Sequence, residues 1–102
     1  MAALIKPLEP PTVRFVGMMP REEIVRFAQR CVKERWLQGP LTIVIALQRG
    51  ADGQVYEVRI ETPDRVGESA RDKDVLHAIG RALDRFELHD LQTASVTRSQ
   101  LL

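Results

Sequence analysis

A single cysteine, Cys31, occurs in 102 residues. One thiol cannot close an intramolecular disulfide or supply the several thiolates of a structural zinc site, and it points to a reducing compartment, the cytoplasm. Net charge is nearly absent as well: 15 Lys and Arg against 14 Asp and Glu leave +1, so no overall field draws in nucleic acid, an anionic membrane or an acidic partner. No run approaches the ~18 consecutive apolar residues of a membrane span, and Lys6 and Pro7 break the opening residues before an apolar signal core forms. No glycine-rich phosphate cradle is present either, since Gly50-Ala51-Asp52-Gly53 is accounted for by a turn. What remains is an ordinary globular composition, 44% hydrophobic and 28% charged, at a length that suits one domain with one core.

The clearest pattern lies at 41–62. Leu41, Ile43, Ile45 and Leu47 recur at every second residue, Asp52-Gly53 is a strong turn signal, and Tyr56, Val58, Ile60 and Thr62 resume the alternation; this predicts a β-hairpin. With Asp52-Gly53 as a two-residue turn, Leu47 faces Val58, Ile45 faces Ile60 and Ile43 faces Thr62. All six then share one face, and a one-residue slip would separate them. The other face of the second strand carries Glu57, Arg59 and Glu61, which suit water.

Ahead of the hairpin, residues 1–11 contain Pro7, Pro10 and Pro11 and read as an extended arm. Thr12–Val16 alternates and ends at Gly17, as a short strand does. Pro20, Glu22 and Glu23 open a helix that Gly39-Pro40 stops. Its apolar arc holds Ile24, Val25, Phe27, Ala28, Cys31, Val32 and Trp36, opposite Arg26, Arg30 and Lys33. After a polar loop, Ser69-Ala70-Arg71-Asp72 resembles a capping box. A second amphipathic helix follows, with Val75, Leu76, Ala78, Ile79, Ala82, Leu83 and Phe86 on one side. Leu91–Thr97 alternates weakly and contains Thr93, Val96 and Thr97, which predicts a last strand before a frayed tail at 98–102. The resulting order, β-α-β-β-α-β, predicts an α+β two-layer sandwich of ferredoxin-like type spanning 12–97, with both helices on one face of an antiparallel sheet. The alternative is an α-β-β-α core without the outer strands.

No constellation of residues carries obvious chemistry. Cys31 falls in the middle of an apolar arc, far from a helix N-terminus that would activate it. His77, Asp84, His89 and Asp90 lack the spacing that converges metal ligands on one helix face, so no metal or cofactor is expected. The expected class is therefore a non-enzymatic interaction domain, an adaptor or inhibitor that binds another protein or a second copy of itself. The predicted contact is the strand at 41–48, which a ferredoxin-like sheet places at an edge although it carries no charge between Leu41 and Leu47. Its residues Leu41, Thr42, Val44 and Ala46, with the helical stripe Arg26, Arg30 and Lys33, form the candidate protein interface.

Nucleic acid is the alternative partner. Val13-Arg14-Phe15-Val16-Gly17-Met18-Met19-Pro20 resembles the first-strand motif of RNA-recognition-motif domains, which implies that Phe15 stacks a base, helped by Tyr56, Arg26, Arg30 and Lys33. The companion motif on a later strand is not matched: Gln54–Ile60 offers only Tyr56, with Glu57 and Glu61 to repel phosphate, so this partner is disfavoured.

Cys31, placed inward with Ile24 and Ala28, is expected to react with Ellman's reagent well below the rate of a free thiol in the native protein. Equal rates would move it out of the helix's packed side.

Overall fold

The alternating run folds as a hairpin. In a computed structural model, which describes residues 10–35, 37, 39–63 and 67–101 with side chains as far as His89, strands β2 (Thr42–Gly50) and β3 (Gly53–Glu61) pair antiparallel. The turn is Ala51-Asp52 rather than Asp52-Gly53: Gly50 faces Gly53, Ile45 faces Val58 and Ile43 faces Ile60. Gly53 absorbs the reversal with φ +112, a backbone setting that residues with a Cβ rarely adopt. The register thus lies two residues from the one predicted. An even shift leaves every side chain on its expected face, so Ile43, Ile45, Val58 and Ile60 are all fully buried.

Around the hairpin lie β1 (Thr12–Val16), α1 (Glu22–Glu34), β4 (Ser69–Asp72) and α2 (Val75–Leu101). The class is the expected α+β sandwich with both helices on one face, approximately ferredoxin-like, but its elements run β-α-β-β-β-α. The four strands stand in the order β1-β2-β3-β4. β1 runs parallel to β2, with α1 as the crossover, so the sheet is mixed rather than antiparallel.

Two local expectations are corrected together. Ser69–Asp72, which resembles a capping box, is strand β4, with Ala70 opposite Val58 and Arg71 opposite Glu57. Gly67 permits this approach, because a Cβ there would overlap the Ile60 carbonyl, and Ile60 N–H donates to Glu68 O at 2.9 Å just before the strand. The helix start lies further on: Asp72 Oδ1 accepts from Asp74 N–H and Asp74 Oδ1 accepts from Leu76 N–H, both at 2.9 Å, which makes Asp74 the cap. Residues 91–97, expected to form the last strand, continue α2. The strand preference of Thr93, Val96 and Thr97 is small, whereas an established helix gains a hydrogen bond with each residue it adds.

One core joins the layers. Ile24, Ala28 and Val32 of α1 and Val75, Ala78, Ile79, Ala82, Leu83 and Phe86 of α2 pack on the inward face of the sheet. Trp36, expected on the same arc of α1, lies outside the described residues, as do residues 1–9 of the proline-rich arm. Arg35, just past the end of α1, ties the two helices. Its Nη2 lies 2.7 Å from Asp84 Oδ1, and its Nε 3.6 Å from Glu87 Oε1.

Adjacent positions on α2 are expected to respond with opposite signs. Ile79 is fully buried, so Ile79→Ala should cost about 2 to 5 kcal/mol. A Cβ at Gly80 would meet nothing within 4 Å, so Gly80→Ala should stabilise by about 1 kcal/mol through helix propensity. Urea denaturation of both variants checks the pair, and destabilisation by Gly80→Ala would contradict this packing.

Candidate functional site

Strand pairing separates the residues that the sequence offers as sites. Leu41 is 4% exposed and belongs to the core, so it is removed from the interface. Thr42, Val44 and Ala46 are half-buried on the helix-free face of the sheet. β2, however, has β1 on one side and β3 on the other, so it offers no free edge; the expectation of an edge at 41–48 is corrected. Its backbone groups are taken up by a parallel partner that the ferredoxin-like order would have placed elsewhere. Arg26, Arg30 and Lys33 are exposed on α1, in the layer that covers the other face. The structure therefore does not bring the two halves of that interface together. Arg26 is already paired with Glu22 at 2.6 Å, and Arg30 lies 5.9 Å from the Phe27 ring centroid.

The aromatics of the nucleic-acid alternative are placed on the covered face. Phe15 is in register with Ile45 and Tyr56 with Leu47, and both are half-buried against the core. A stacking platform needs its rings on the open face. There the register instead sets Arg14 beside Val44 and then Arg59, and Val16 beside Ala46, Glu57 and Arg71.

Charges on the β3–β4 half of the open face neutralise one another. Glu57 meets Arg71 at 2.9 Å and Arg59 at 3.5 Å, and Arg59 also meets Glu61 at 3.5 Å. The hydrogen bond from Arg71 is the main reason that the Glu57 carboxyl titrates below its usual range. Arg14, on β1, has no carboxylate in ion-pair range among the described residues.

The two edges of the sheet differ. Helix α2 carries a basic residue at every fourth position, His77, Arg81, Arg85 and His89, and this stripe lies along β4. His77 Nδ1 contacts Asp72 Oδ2 at 2.7 Å, and Arg81 donates to Arg71 O at 3.1 Å. Arg85 donates to Ser69 O at 2.6 Å, and His89 Nδ1 lies 3.3 Å from Glu68 Oε1. The outward carbonyls of β4 are thereby occupied. Sequence reasoning did not single out this stripe: it weighed His77 and His89 only as metal ligands, and the strand that the four residues grip was not visible.

β1 has no such cover among the described residues. Thr12 N–H donates to Leu41 O at 3.0 Å, which turns Thr12, Arg14 and Val16 toward β2. Backbone alternation then directs the N–H and C=O groups of Val13 and Phe15 outward. No described residue meets them. Val16, the last residue of β1, is 47% exposed, and Met19, in the loop that follows, 81%.

Burial pushes the Cys31 thiol above its usual value of 9.0, so it is a poor nucleophile at neutral pH. Among the described residues no three His, Cys, Asp or Glu side chains come together as metal ligands. A shallow cleft of about 480 Å³ at the hairpin end is lined by Gln48, Arg49, Val55, Arg71, Asp72 and Lys73, without a nucleophile and base in contact. No helix among the described residues is long and apolar enough to cross a membrane.

No protein-family model and no curated protein matches the chain. Among solved structures it is similar to the crystal structure of the Thermus thermophilus Protein Y N-terminal domain, with 21% identity and a TM-score of 0.52 over 76% of this chain and 90% of that one. At that identity the likeness establishes the fold.

The clasp between α2 and β4 has a pH signature. The Asp74 backbone N–H, then His77 and Arg81, hold the Asp72 carboxyl below its ordinary value of 3.8. A carboxyl depressed on folding contributes stability that is complete above the unfolded pKa and is lost as pH falls through the folded one. Asp72→Asn is therefore expected to flatten the loss of stability as pH falls below the ordinary value of 3.8, read as urea midpoints on the acid side of it. An unchanged slope would mean that Asp72 is not linked to folding.

Proposed function

We propose that this domain is a non-enzymatic protein-binding module of the cytoplasm, an adaptor or inhibitor that takes an extended segment of another protein as a fifth strand beside β1. The observation that carries this reading is the inequality of the two edges. On β4 the outward carbonyls of Ser69 and Arg71 accept from Arg85 and Arg81, whereas on β1 the outward groups of Val13 and Phe15 meet no described residue. Sheets with unguarded edges pair with whatever strand is offered, and strand addition is a common mode of peptide recognition. Two donors and two acceptors at ~0.5–1.5 kcal/mol each give modest affinity, so flanking side chains must supply the selectivity. Val16, at the end of β1, is exposed and available for such a contact.

The test uses a proline. The N–H of Val13 faces outward, so Val13→Pro deletes an edge donor without removing a bond to β2. Short peptides selected from a random displayed library on the wild-type domain are expected to bind Val13→Pro at least about tenfold more weakly, a loss of ~1.4 kcal/mol, while the variant keeps its circular dichroism and melting temperature. Equal binding by a folded Val13→Pro, or a library from which no peptide is enriched, would overturn the reading.

A further inference from the structure

The Arg14 guanidinium at the centre of the edge, which no described carboxylate meets, specifies what the incoming strand carries. Resting on the reading of β1 as a receiving edge, we propose that the segment bound there is acidic at one position: a carboxylate opposite Arg14, flanked on both sides by apolar residues. Three observations converge on this pattern.

First, Arg14 is the middle residue of β1, exposed on the open face, and no described carboxylate lies in ion-pair range. The nearest open-face cation in its row is Arg59, two strands away, and Arg59 is already held between Glu57 and Glu61. A strand added at β1 places one side chain directly beside Arg14, and opposite charges so placed attract. Second, the residues on either side of Arg14, Val13 and Phe15, face the helix layer and are half-buried against the core. The neighbours of the incoming carboxylate would lie beside them, in line with the buried rows, where apolar side chains gain most. The pattern apolar–acidic–apolar reads the same in both directions, so it serves parallel and antiparallel addition alike.

Third, charge argues against a second copy. Antiparallel self-pairing that uses all five residues of β1 centres on Arg14 and sets it opposite its own counterpart, and like charges directly across a strand pair are destabilising. A nucleic acid would satisfy Arg14 with phosphate, but the row that could stack bases beside it holds Val44 and Ala46 rather than Phe15 or Tyr56.

Peptides enriched from a random displayed library on the wild-type domain are sequenced, and the best binder is synthesised together with a counterpart bearing lysine in place of its carboxylate. Both are titrated by fluorescence anisotropy against wild type and Arg14→Glu. Enriched sequences should share Asp or Glu between apolar residues. Arg14→Glu should weaken the acidic peptide about five- to tenfold and strengthen the lysine peptide by a similar factor. Equal affinities for wild type and Arg14→Glu, or enrichment without a carboxylate, would overturn the inference. If Val13→Pro still abolishes binding in that case, the edge reading stands and only the acidic specificity fails. If Val13→Pro also has no effect, both fail. Sedimentation of the wild type as a dimer that Val13→Pro dissociates, or tight binding of a mixed-sequence RNA oligonucleotide that Arg14→Glu abolishes, would overturn the inference in favour of self-association or nucleic acid.

Discussion

Burial of one face of a twisted sheet beneath two helices is the constraint from which the other features follow. Ile43, Ile45, Val58 and Ile60 are fully shielded by Ile24 and Ala28 from α1 and by Ile79 and Leu83 from α2. Burying large aliphatic side chains of this kind contributes ~1.5–3 kcal/mol each, the largest favourable contribution to a fold of this size. Because both helices serve that one face, the opposite face is left to charged and small residues, and among the described residues the backbone groups of the sheet that no neighbouring strand takes up lie on its two outer strands.

The protein treats those two strands differently. β4 has four residues and one buried side chain, Ala70, too little apolar area to hold it by packing. Polar contacts substitute: Glu57–Arg71 across the strand pair, and the His77, Arg81, Arg85 and His89 stripe from α2. Individually, exposed ion pairs contribute little, yet here they form a continuous ladder on a helix already anchored by Ile79 and Leu83, so few additional side chains must be ordered. β1, with no described helix beside its outer flank, keeps its Val13 and Phe15 backbone groups unoccupied by any described residue. Its short length, the Pro10–Pro11 approach and the charge on Arg14 limit indiscriminate pairing, which is compatible with selective pairing.

Legibility in the sequence followed the range of the forces involved. The hairpin faces, α1 and the apolar side of α2 were readable because side-chain periodicity is a local property: Ile43 and Ile45 alternate, and Ile79, Ala82, Leu83 and Phe86 return at helical intervals. The register was off by two because a glycine at either end of Ala51-Asp52 supplies the reversal as well as Asp52-Gly53 does, and an even slip costs no burial. β4 was unreadable for a different reason. Ser69-Ala70-Arg71-Asp72 has no periodicity to detect and becomes a strand only because Tyr56–Arg59 lies alongside it and Gly67 lets the loop close. Residues 91–97 continue α2 instead of adding a strand, because the weak strand preference of Thr93, Val96 and Thr97 yields to helix propagation.

The candidate site shows the same division. From sequence, Arg14 was a residue beside the aromatic Phe15, and Val44 and Ala46 belonged to an edge strand. The parallel pairing of β1 with β2 overturned the second reading, enclosing Val44 and Ala46 within the sheet, and it placed Phe15 against the core and Arg14 at the middle of an outer strand. Strand order is decided by which long-range pairing buries the common apolar face with the connections available, and no local pattern encodes it. The sequence by itself determined the type and the apolar side of the hairpin strands, β1, α1 and the first turns of α2, because those depend on near neighbours along the chain. Only the tertiary structure decided which strand ends the sheet, and with it which backbone groups are left for a partner, because an edge is defined by the strand that is not beside it.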